Sequence, residues 1–173
     1  MKTKPLYTSD TAASETAASV RLKFNNILVP VDFSDGSKKA LQYAVHFAKQ
    51  FRSRLILLHV LPQHTVIDAE LGGRLKAWAE EFVPNAIASQ IQISRGAEAL
   101  EIANAAKIFA TGLMVISTHG RTGRAHELAG SLAENLVRLA PCPVLVVREH
   151  EQDFIEMDDA KAEHTPNFIG TAI

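Results

Sequence analysis

Cysteine is almost absent from this sequence: among 173 residues, only Cys142 is a cysteine. A single cysteine excludes an intrachain disulfide framework and a thiolate metal cluster. Cys142 lies between Pro141 and Pro143, at the start of an apolar run. In that position we interpret it as a small packing residue rather than a reactive nucleophile.

Long apolar runs and an excess of charge of one sign are also lacking. No stretch reaches the roughly 18 apolar residues that a membrane span requires, and the first residues carry no apolar core of the kind found in signal peptides. We therefore expect no membrane association and a cytoplasmic location. The formal net charge of -1 is not the excess of positive charge that is typical of proteins that bind nucleic acid. We therefore expect no nucleic-acid partner.

The length and composition fit one folded domain with an extension at each end. A chain of 173 residues with 47% hydrophobic residues is long enough for one well-packed domain and too short for two ordinary ones. Residues 1–23 are mostly small or polar and offer few large apolar side chains to bury, which predicts a flexible N-terminal extension. Residues 24–149 form the predicted domain. Residues 150–173 are a C-terminal extension, acidic and then apolar, for which disorder and docking of Phe168 and Ile169 on a neighbour remain alternatives.

Apolar runs of strand length alternate with segments of helical periodicity throughout the predicted domain. We predict strands over residues 27–31, 55–61, 87–94, 113–116 and 143–147, and helices over 37–51, 75–83, 97–110 and 132–140. The pair Gly72 and Gly73 is expected to form a break or bend before the second helix. Leu100, Ile108 and Val137 are assigned to the apolar faces of their helices. The alternation predicts an α/β domain with a parallel sheet covered by helices on both faces.

A polar loop between the fourth strand and the fourth helix has the composition of a phosphate-binding loop. Gly120 and Gly123 permit close backbone approach, and Arg121 and Arg124 add positive charge, ahead of a helix N-terminus that attracts anions. An ordinary solvated loop is the alternative. The loop contains neither a Walker A sequence nor a G-x-G-x-x-G fingerprint, and Ser131 with Glu134 also fits a capping box that needs no ligand.

A second set of polar residues follows the first strand. Pro30 is expected near the end of that strand because proline lacks a ladder donor. Asp32 then lies at the carboxyl edge of the sheet, where open α/β sheets bind ligands. For Ser34 and Asp35 we favour a capping role at the next helix. With strand order 3-2-1-4-5, the loops after strands one and four flank the topological switch point.

Five motifs, in this order, resemble the universal stress protein family over residues 24–149. They are Val29-Pro-Val-Asp-Phe-Ser34, Leu57-Leu-His-Val60, Ser117-Thr-His-Gly-Arg-Thr-Gly123, Gly130-Ser131 and Ala140-Pro-Cys-Pro-Val-Leu-Val-Val147. The resemblance implies a five-stranded, Rossmann-like sheet of the adenine nucleotide alpha hydrolase type, with order 3-2-1-4-5. We expect a homodimer paired through strand 143–147, because an unpaired apolar edge strand invites pairing with a second copy of itself. The motif occurs once, so the chain is a single-domain form.

The nucleotide-binding branch of that family has Gly, two residues, Gly, nine residues, then Gly-Ser or Gly-Thr. Gly120 and Gly130-Ser131 match, whereas Ser117 occupies the first glycine position. By this resemblance ATP, with Mg as a companion ion, is the expected ligand. Asp32 would face the ribose and Val60 would offer backbone groups to adenine. The full implied set is Pro30, Val31, Asp32, Val60, Ile116, Ser117, Gly120, Arg121, Gly130, Ser131 and Leu132.

The resemblance therefore implies an ATP-binding protein of the stress response that acts as a nucleotide-dependent regulatory or protective homodimer with a further, unidentified protein partner. The alternative is an interaction module of the same fold that binds no nucleotide, with Ser131 as a cap and Ser117 closing the pocket. A third alternative is an enzyme. No general base, lysine or metal-ligating pair is evident beside the loop, and His119 and His126 are weak candidates. We expect no catalytic or metal site, and at most slow ATP hydrolysis.

Overall fold

The computed structural model describes residues 22–65, 69–118 and 131–148, with Ala69 and Ser131 described for their backbone alone. The strands are β1 (Asn26–Pro30), β2 (Arg54–Leu61), β3 (Ser89–Arg95), β4 (Leu113–Ser117) and β5 (Val144–Val147). The helices are α1 (Asp35–Phe51), α2 (Ala69–Phe82), α3 (Glu98–Ile108) and α4 (Ser131–Leu139). All strand pairs are parallel and the order is β3-β2-β1-β4-β5, which confirms the predicted α/β fold class and strand order.

Alternating side chains of the central strands supply the two halves of the core. In β1, Ile27 and Val29 pack with α1 and α2 on one face of the sheet, whereas Leu28 packs with α3 and α4 on the other. All three side chains are fully buried. Strands buried on both faces read as continuous apolar runs, which is why β1, β2 and β4 were recognisable in the sequence.

Helix α1 begins directly after the β1 loop and is fixed at both ends. Ser34 is its N-cap residue, and the Ser34 hydroxyl accepts a hydrogen bond from the backbone N–H of Ser37 at 3.1 Å, as the capping prediction required. The helix ends where Arg52 adopts the left-handed conformation with φ 55° and donates its N–H to the Ala48 carbonyl. The position of the β1 loop is therefore tied to the first turn of α1.

Two predictions about the helices were wrong. Helix α2 continues through Gly72 and Gly73 instead of beginning after them. A Cβ atom at either glycine would meet nothing within 4 Å, so these positions face open space, and packing of the buried Leu75 and Ala79 overrides the low helix propensity of glycine.

The second error concerns which side chains face the core. Leu100 and Ile108 of α3 are 53% and 77% exposed, and Val137 of α4 is 58% exposed. Helix α3 instead buries the face that carries Ile102 and Ala106, and the eight-residue spacing of Leu100 and Ile108 puts both on another side of the helix. Within the described residues, no helix is both long and apolar enough to span a bilayer.

Candidate functional site

A cavity of about 730 Å³ lies at the carboxyl ends of the central strands, on the face covered by α3 and α4. This is the edge of an open α/β sheet at which ligands bind. The residues that line it come from the ends of β1, β2 and β4, from the segment after β3, and from α1, α3 and α4: Pro30, Val31, Asp32, Ser37, Leu58, His59, Val60, Leu61, Pro62, Gly96, Glu98, Ile102, Ile116, Ser117, Thr118, Leu132, Ala133 and Leu136.

Asp32 is the first acidic residue of the cavity, and its orientation is fixed by Ser34. Strand β1 ends at Pro30, as predicted. Asp32 Oδ1 then accepts hydrogen bonds from the Ser34 backbone N–H at 3.0 Å and from the Ser34 hydroxyl at 2.5 Å. Between them, Phe33 adopts φ 64°, a left-handed conformation that an aromatic residue rarely occupies. Such backbone strain is maintained only where surrounding contacts determine it.

The contacts that hold Phe33 come from β2 and α2. Its ring lies 5.1 Å from the imidazole of His59 and 5.9 Å from the indole of Trp78, measured between ring centroids. The guanidinium carbon of Arg74 lies 4.9 Å from the centre of the same ring. These aromatic and cation–π contacts are individually worth about 1 kcal/mol. Together they connect the cavity to α2.

His59 is buried in the floor of the cavity, with 7% of its surface exposed. Its Nδ1 lies 2.6 Å from the carbonyl oxygen of Val31. Because a carbonyl oxygen only accepts hydrogen bonds, Nδ1 carries a hydrogen and donates it to Val31.

The segment after β3 closes another side of the cavity. The backbone N–H of Gly96 donates to the Leu61 carbonyl at 3.0 Å, and Gly96 has φ +147°, a conformation that L side chains rarely adopt. A Cβ there would lie 2.9 Å from Cγ of Glu101. This turn directs the chain into α3 with Glu98 as its first residue.

Glu98 is the second acidic residue of the cavity. Partial desolvation by the cavity walls raises the pKa of the Glu98 carboxyl, the negative charge of Asp32 raises it further, and His59 acts in the opposite direction. Glu98 as a residue keeps contact with solvent, so the desolvation is incomplete. Asp32 and His59 therefore both lie within electrostatic range of Glu98.

The β4 side of the cavity is formed by Ile116, Ser117 and Thr118. Ser117 pairs with Val147 in the sheet. Within the described residues, positive φ among non-glycine residues occurs at Phe33, Arg52 and Ala110, so the backbone of Ser117 has ordinary strand geometry. The position therefore requires no glycine for conformational reasons, and serine differs from glycine there through the space its side chain fills.

The structure brings together seven of the residues predicted to bind a ligand: Pro30, Val31, Asp32, Val60, Ile116, Ser117 and Leu132 all line the cavity. Ser131 is the first residue of α4, described for its backbone alone. The predictions for Gly120, Arg121 and Gly130, like the capping box and the role of Gly123 and Arg124, fall outside the described residues.

The sequence analysis missed His59 and Glu98. His59 is embedded in an apolar strand, where a histidine reads as a core residue. Glu98 could have been found from the rule that identified Asp32, because both follow the carboxyl end of a parallel strand. Across the described residues, no cluster of three or more His, Cys, Asp or Glu side chains has the geometry of a metal site.

Cys142 lies away from the cavity lining, at the turn before β5, where it packs half-buried against the core between the sheet and α3 and α4. Burial raises the pKa of its thiol, opposed by a hydrogen bond with the backbone of Met114. A raised pKa reduces the thiolate fraction and hence the reactivity of a cysteine. This environment agrees with the interpretation of Cys142 as a packing residue.

Comparisons with known proteins agree with the motifs. The profile of the universal stress protein family matches residues 23–148. The universal stress protein YxiE of Bacillus subtilis strain 168 is 32% identical over 149 residues, covering 72% of this chain and 99% of that protein. The structure of the universal stress protein UspA from Lactobacillus plantarum superposes with a TM-score of 0.60 at 26% identity, over 74% of this chain and 100% of that one.

A further universal stress protein, whose crystal structure contains cAMP, superposes with a TM-score of 0.57 at 23% identity, over 73% of this chain and 98% of that one. At this identity the likeness shows the fold. The family profile covers the whole of the described sheet and its helices. The chain belongs to the universal stress protein family.

Proposed function

We propose that this protein binds ATP in the cavity and acts in the stress response as a nucleotide-dependent regulatory or protective homodimer. The observation that carries the proposal is the cavity itself. It lies at the sheet edge that the motifs indicated, and seven of the residues they predicted line it. Its volume of about 730 Å³ falls within the range of about 300 to 1,000 Å³ that is typical of sites for small molecules.

The residues around the cavity fit an adenine nucleotide. Val60, Ile102, Ile116 and Leu132 provide apolar surface for a purine base. Asp32 offers a fixed carboxylate to sugar hydroxyls. Helix α4 begins at Ser131, and its N-terminal N–H groups provide a positive end that suits phosphate. Gly120, Arg121 and Gly130 are proposed to complete the phosphate site.

Two further observations support the proposal. Ser117 has a backbone conformation that a serine adopts without strain, so the replacement of the family glycine leaves the strand end intact. The solved structure with cAMP shows that another protein of this fold accommodates an adenine nucleotide. The proposal extends that property to this chain.

The proposal is tested by isothermal titration of ATP into the full-length protein, with mass spectrometry of any nucleotide released from it. Asp32→Asn keeps the Oδ1 acceptor for Ser34 but removes the charge, and we expect it to weaken ATP binding about tenfold. Asp35→Asn is the matched control, because Asp35 is exposed, lies three residues further on and does not line the cavity. Absence of ATP binding by wild type at millimolar concentration would instead favour the interaction module.

The proposed homodimer uses the outer edge of β5. Strand β5 is the last strand of the order, and its partner in the described sheet is β4. The carbonyl oxygens of Pro143 and Val147 accept hydrogen bonds from Met114 and Thr118 of β4. Since successive backbone groups of a strand point in opposite directions, the N–H and C=O of Val146 point outwards, available to a second copy.

Proline scanning tests this interface. Val146→Pro removes an outward N–H and leaves the bonds to β4 in place. In sedimentation equilibrium we therefore expect a folded monomer for this variant and a dimer for wild type. Leu145→Pro is the contrasting variant, since the Leu145 N–H points towards β4 and its loss should lower the melting temperature. A dimeric Val146→Pro variant would argue against pairing through β5.

Hydrolysis is measured separately as phosphate release against a no-protein control. We expect at most slow release. A rate typical of enzymes, of about 1 per second or more, would indicate that the protein is a catalyst rather than a nucleotide-dependent regulator.

A further inference from the structure

Glu98 has no described partner although it lines a cavity. It is the first residue of α3, and its carboxylate makes no hydrogen bond or ion pair with the residues that the structure describes. Glu101, three residues further on, differs: the Ser94 hydroxyl donates to Glu101 Oε2. Two glutamates of one helix turn therefore have different surroundings, and Glu98 is the one that a ligand in the cavity would meet.

The cavity brings a second carboxylate, that of Asp32, near Glu98. Asp32 and Glu98 interact electrostatically, and His59 interacts with Glu98. His59 donates through Nδ1 to the Val31 carbonyl, and its Nε2 makes no hydrogen bond to the described residues. His59 is buried and lines the same cavity. An ionised carboxylate accepts hydrogen bonds only, and Asp32 and Glu98 each bring one to the cavity. This part of the cavity therefore favours a ligand group that supplies several hydrogen-bond donors.

The position of these acceptors along the sheet edge limits which part of a nucleotide they can meet. Glu98 follows β3 and Asp32 follows β1, with His59 on β2 between them. Helix α4 begins beyond β4, and its positive end favours phosphate. Two neighbouring carboxylates repel phosphate. A nucleotide with its phosphates at α4 would then present its sugar to the acidic side, and a ribose carries two hydroxyl donors there.

We infer that Glu98 is a specificity-determining residue of this cavity, and that Glu98, Asp32 and His59 together select nucleotides whose ribose has both free hydroxyls. The inference rests on the proposed nucleotide binding and deepens it. It predicts that the protein discriminates against 2′-deoxy-ATP, 3′-deoxy-ATP or both, because removing a donor removes a hydrogen bond to a partly desolvated carboxylate.

The experiment compares the Kd values of ATP, 2′-deoxy-ATP and 3′-deoxy-ATP for full-length wild type and three variants. Glu98→Gln keeps the shape and removes the charge, and Glu98→Ala removes the group. Glu101→Gln is the matched control, with the same charge change on the same helix turn, at a residue outside the cavity lining. Circular dichroism checks that each variant is folded.

We expect wild type and Glu101→Gln to bind ATP about tenfold more tightly than at least one deoxy analogue. The ratio of the Kd for that deoxy analogue to the Kd for ATP should fall at least about threefold in Glu98→Gln and further in Glu98→Ala. A purely structural role for Glu98 would weaken all three nucleotides equally and leave the ratio unchanged. Equal binding of the three nucleotides by wild type, or an unchanged ratio in both Glu98 variants, overturns the inference while the proposed function stands. No binding of any nucleotide by wild type overturns both.

Discussion

Replacement of Ser34 by alanine tests the link between the cavity and the fold. The Ser34 hydroxyl donates to Asp32 Oδ1 at 2.5 Å and accepts from the Ser37 N–H at 3.1 Å. Loss of a serine N-cap costs about 1 kcal/mol of helix stability. A hydrogen bond to a charged group is worth roughly 1.5 to 3 kcal/mol when buried, and we take about 1 kcal/mol here because Ser34 and Asp32 are half-buried.

Ser34→Ala is therefore expected to lower the free energy of unfolding by about 2 kcal/mol. For a domain of this size that corresponds to a fall in melting temperature of about 4 to 8 °C. Urea unfolding can be followed by the fluorescence of Trp78, since the chain contains one tryptophan and it packs against Phe33. Thermal unfolding by circular dichroism provides the independent measurement.

Ser34→Thr is the control, because threonine keeps a hydroxyl that can both donate and accept, and Ser34 has an extended backbone that threonine tolerates. We expect this variant to lie within about 0.5 kcal/mol of wild type. The reasoning is refuted if Ser34→Ala is as stable as wild type, or if Ser34→Thr loses as much as Ser34→Ala. Either result would mean that the hydroxyl does not connect Asp32 to α1.

Two further predictions concern stability. The folded-state pKa of Glu98 is raised above its ordinary value of 4.5, so ionised Glu98 destabilises the folded protein at pH values above that raised pKa, and the effect vanishes below pH 4.5. In the absence of ligand, Glu98→Gln should therefore be more stable than wild type at neutral pH and equally stable in acid. The difference at neutral pH should be less than about 1 kcal/mol, because solvent screens the charge in the cavity. Equal urea midpoints of the two proteins at all pH values would contradict this prediction. Thr111 is 8% exposed and its hydroxyl has no partner in the described residues, so Thr111→Val should raise stability by about 1 kcal/mol, and a lower melting temperature would show that the hydroxyl is hydrogen-bonded.

Much of the fold was predictable because buried parallel strands and their helices leave strong patterns. The runs that became β1, β2 and β4 are apolar throughout, and the carboxyl-edge rule correctly placed Asp32 at the cavity. The positions of Gly72 and Gly73 in α2 were not predictable from propensity. Tertiary packing of the rest of the helix decided them, and periodicity does not record packing.

The cavity was only partly predictable, for a physical reason that concerns Glu98 and His59. Local motifs mark residues that a loop needs for its conformation, such as Gly96. The partners of Glu98 and His59 come from other strands, and their proximity depends on the order β3-β2-β1. A residue whose role arises from neighbours distant in sequence leaves no local pattern. The functions of Gly120, Arg121 and Gly130 stay predictions.

Because all five strands run in the same direction, their carboxyl ends lie together at the edge of the sheet that carries the cavity. Their amino ends lie at the opposite edge, where residues can be modified without altering the cavity. The turn before β3, which contains Pro84, Asn85 and Ala86, is exposed and belongs to the opposite edge. Strand β3 separates it from Gly96 by roughly 20 Å at about 3.3 Å per residue. A peptide tag or fluorophore attached at Asn85 would therefore allow the protein to be immobilised or labelled with the cavity still facing solution.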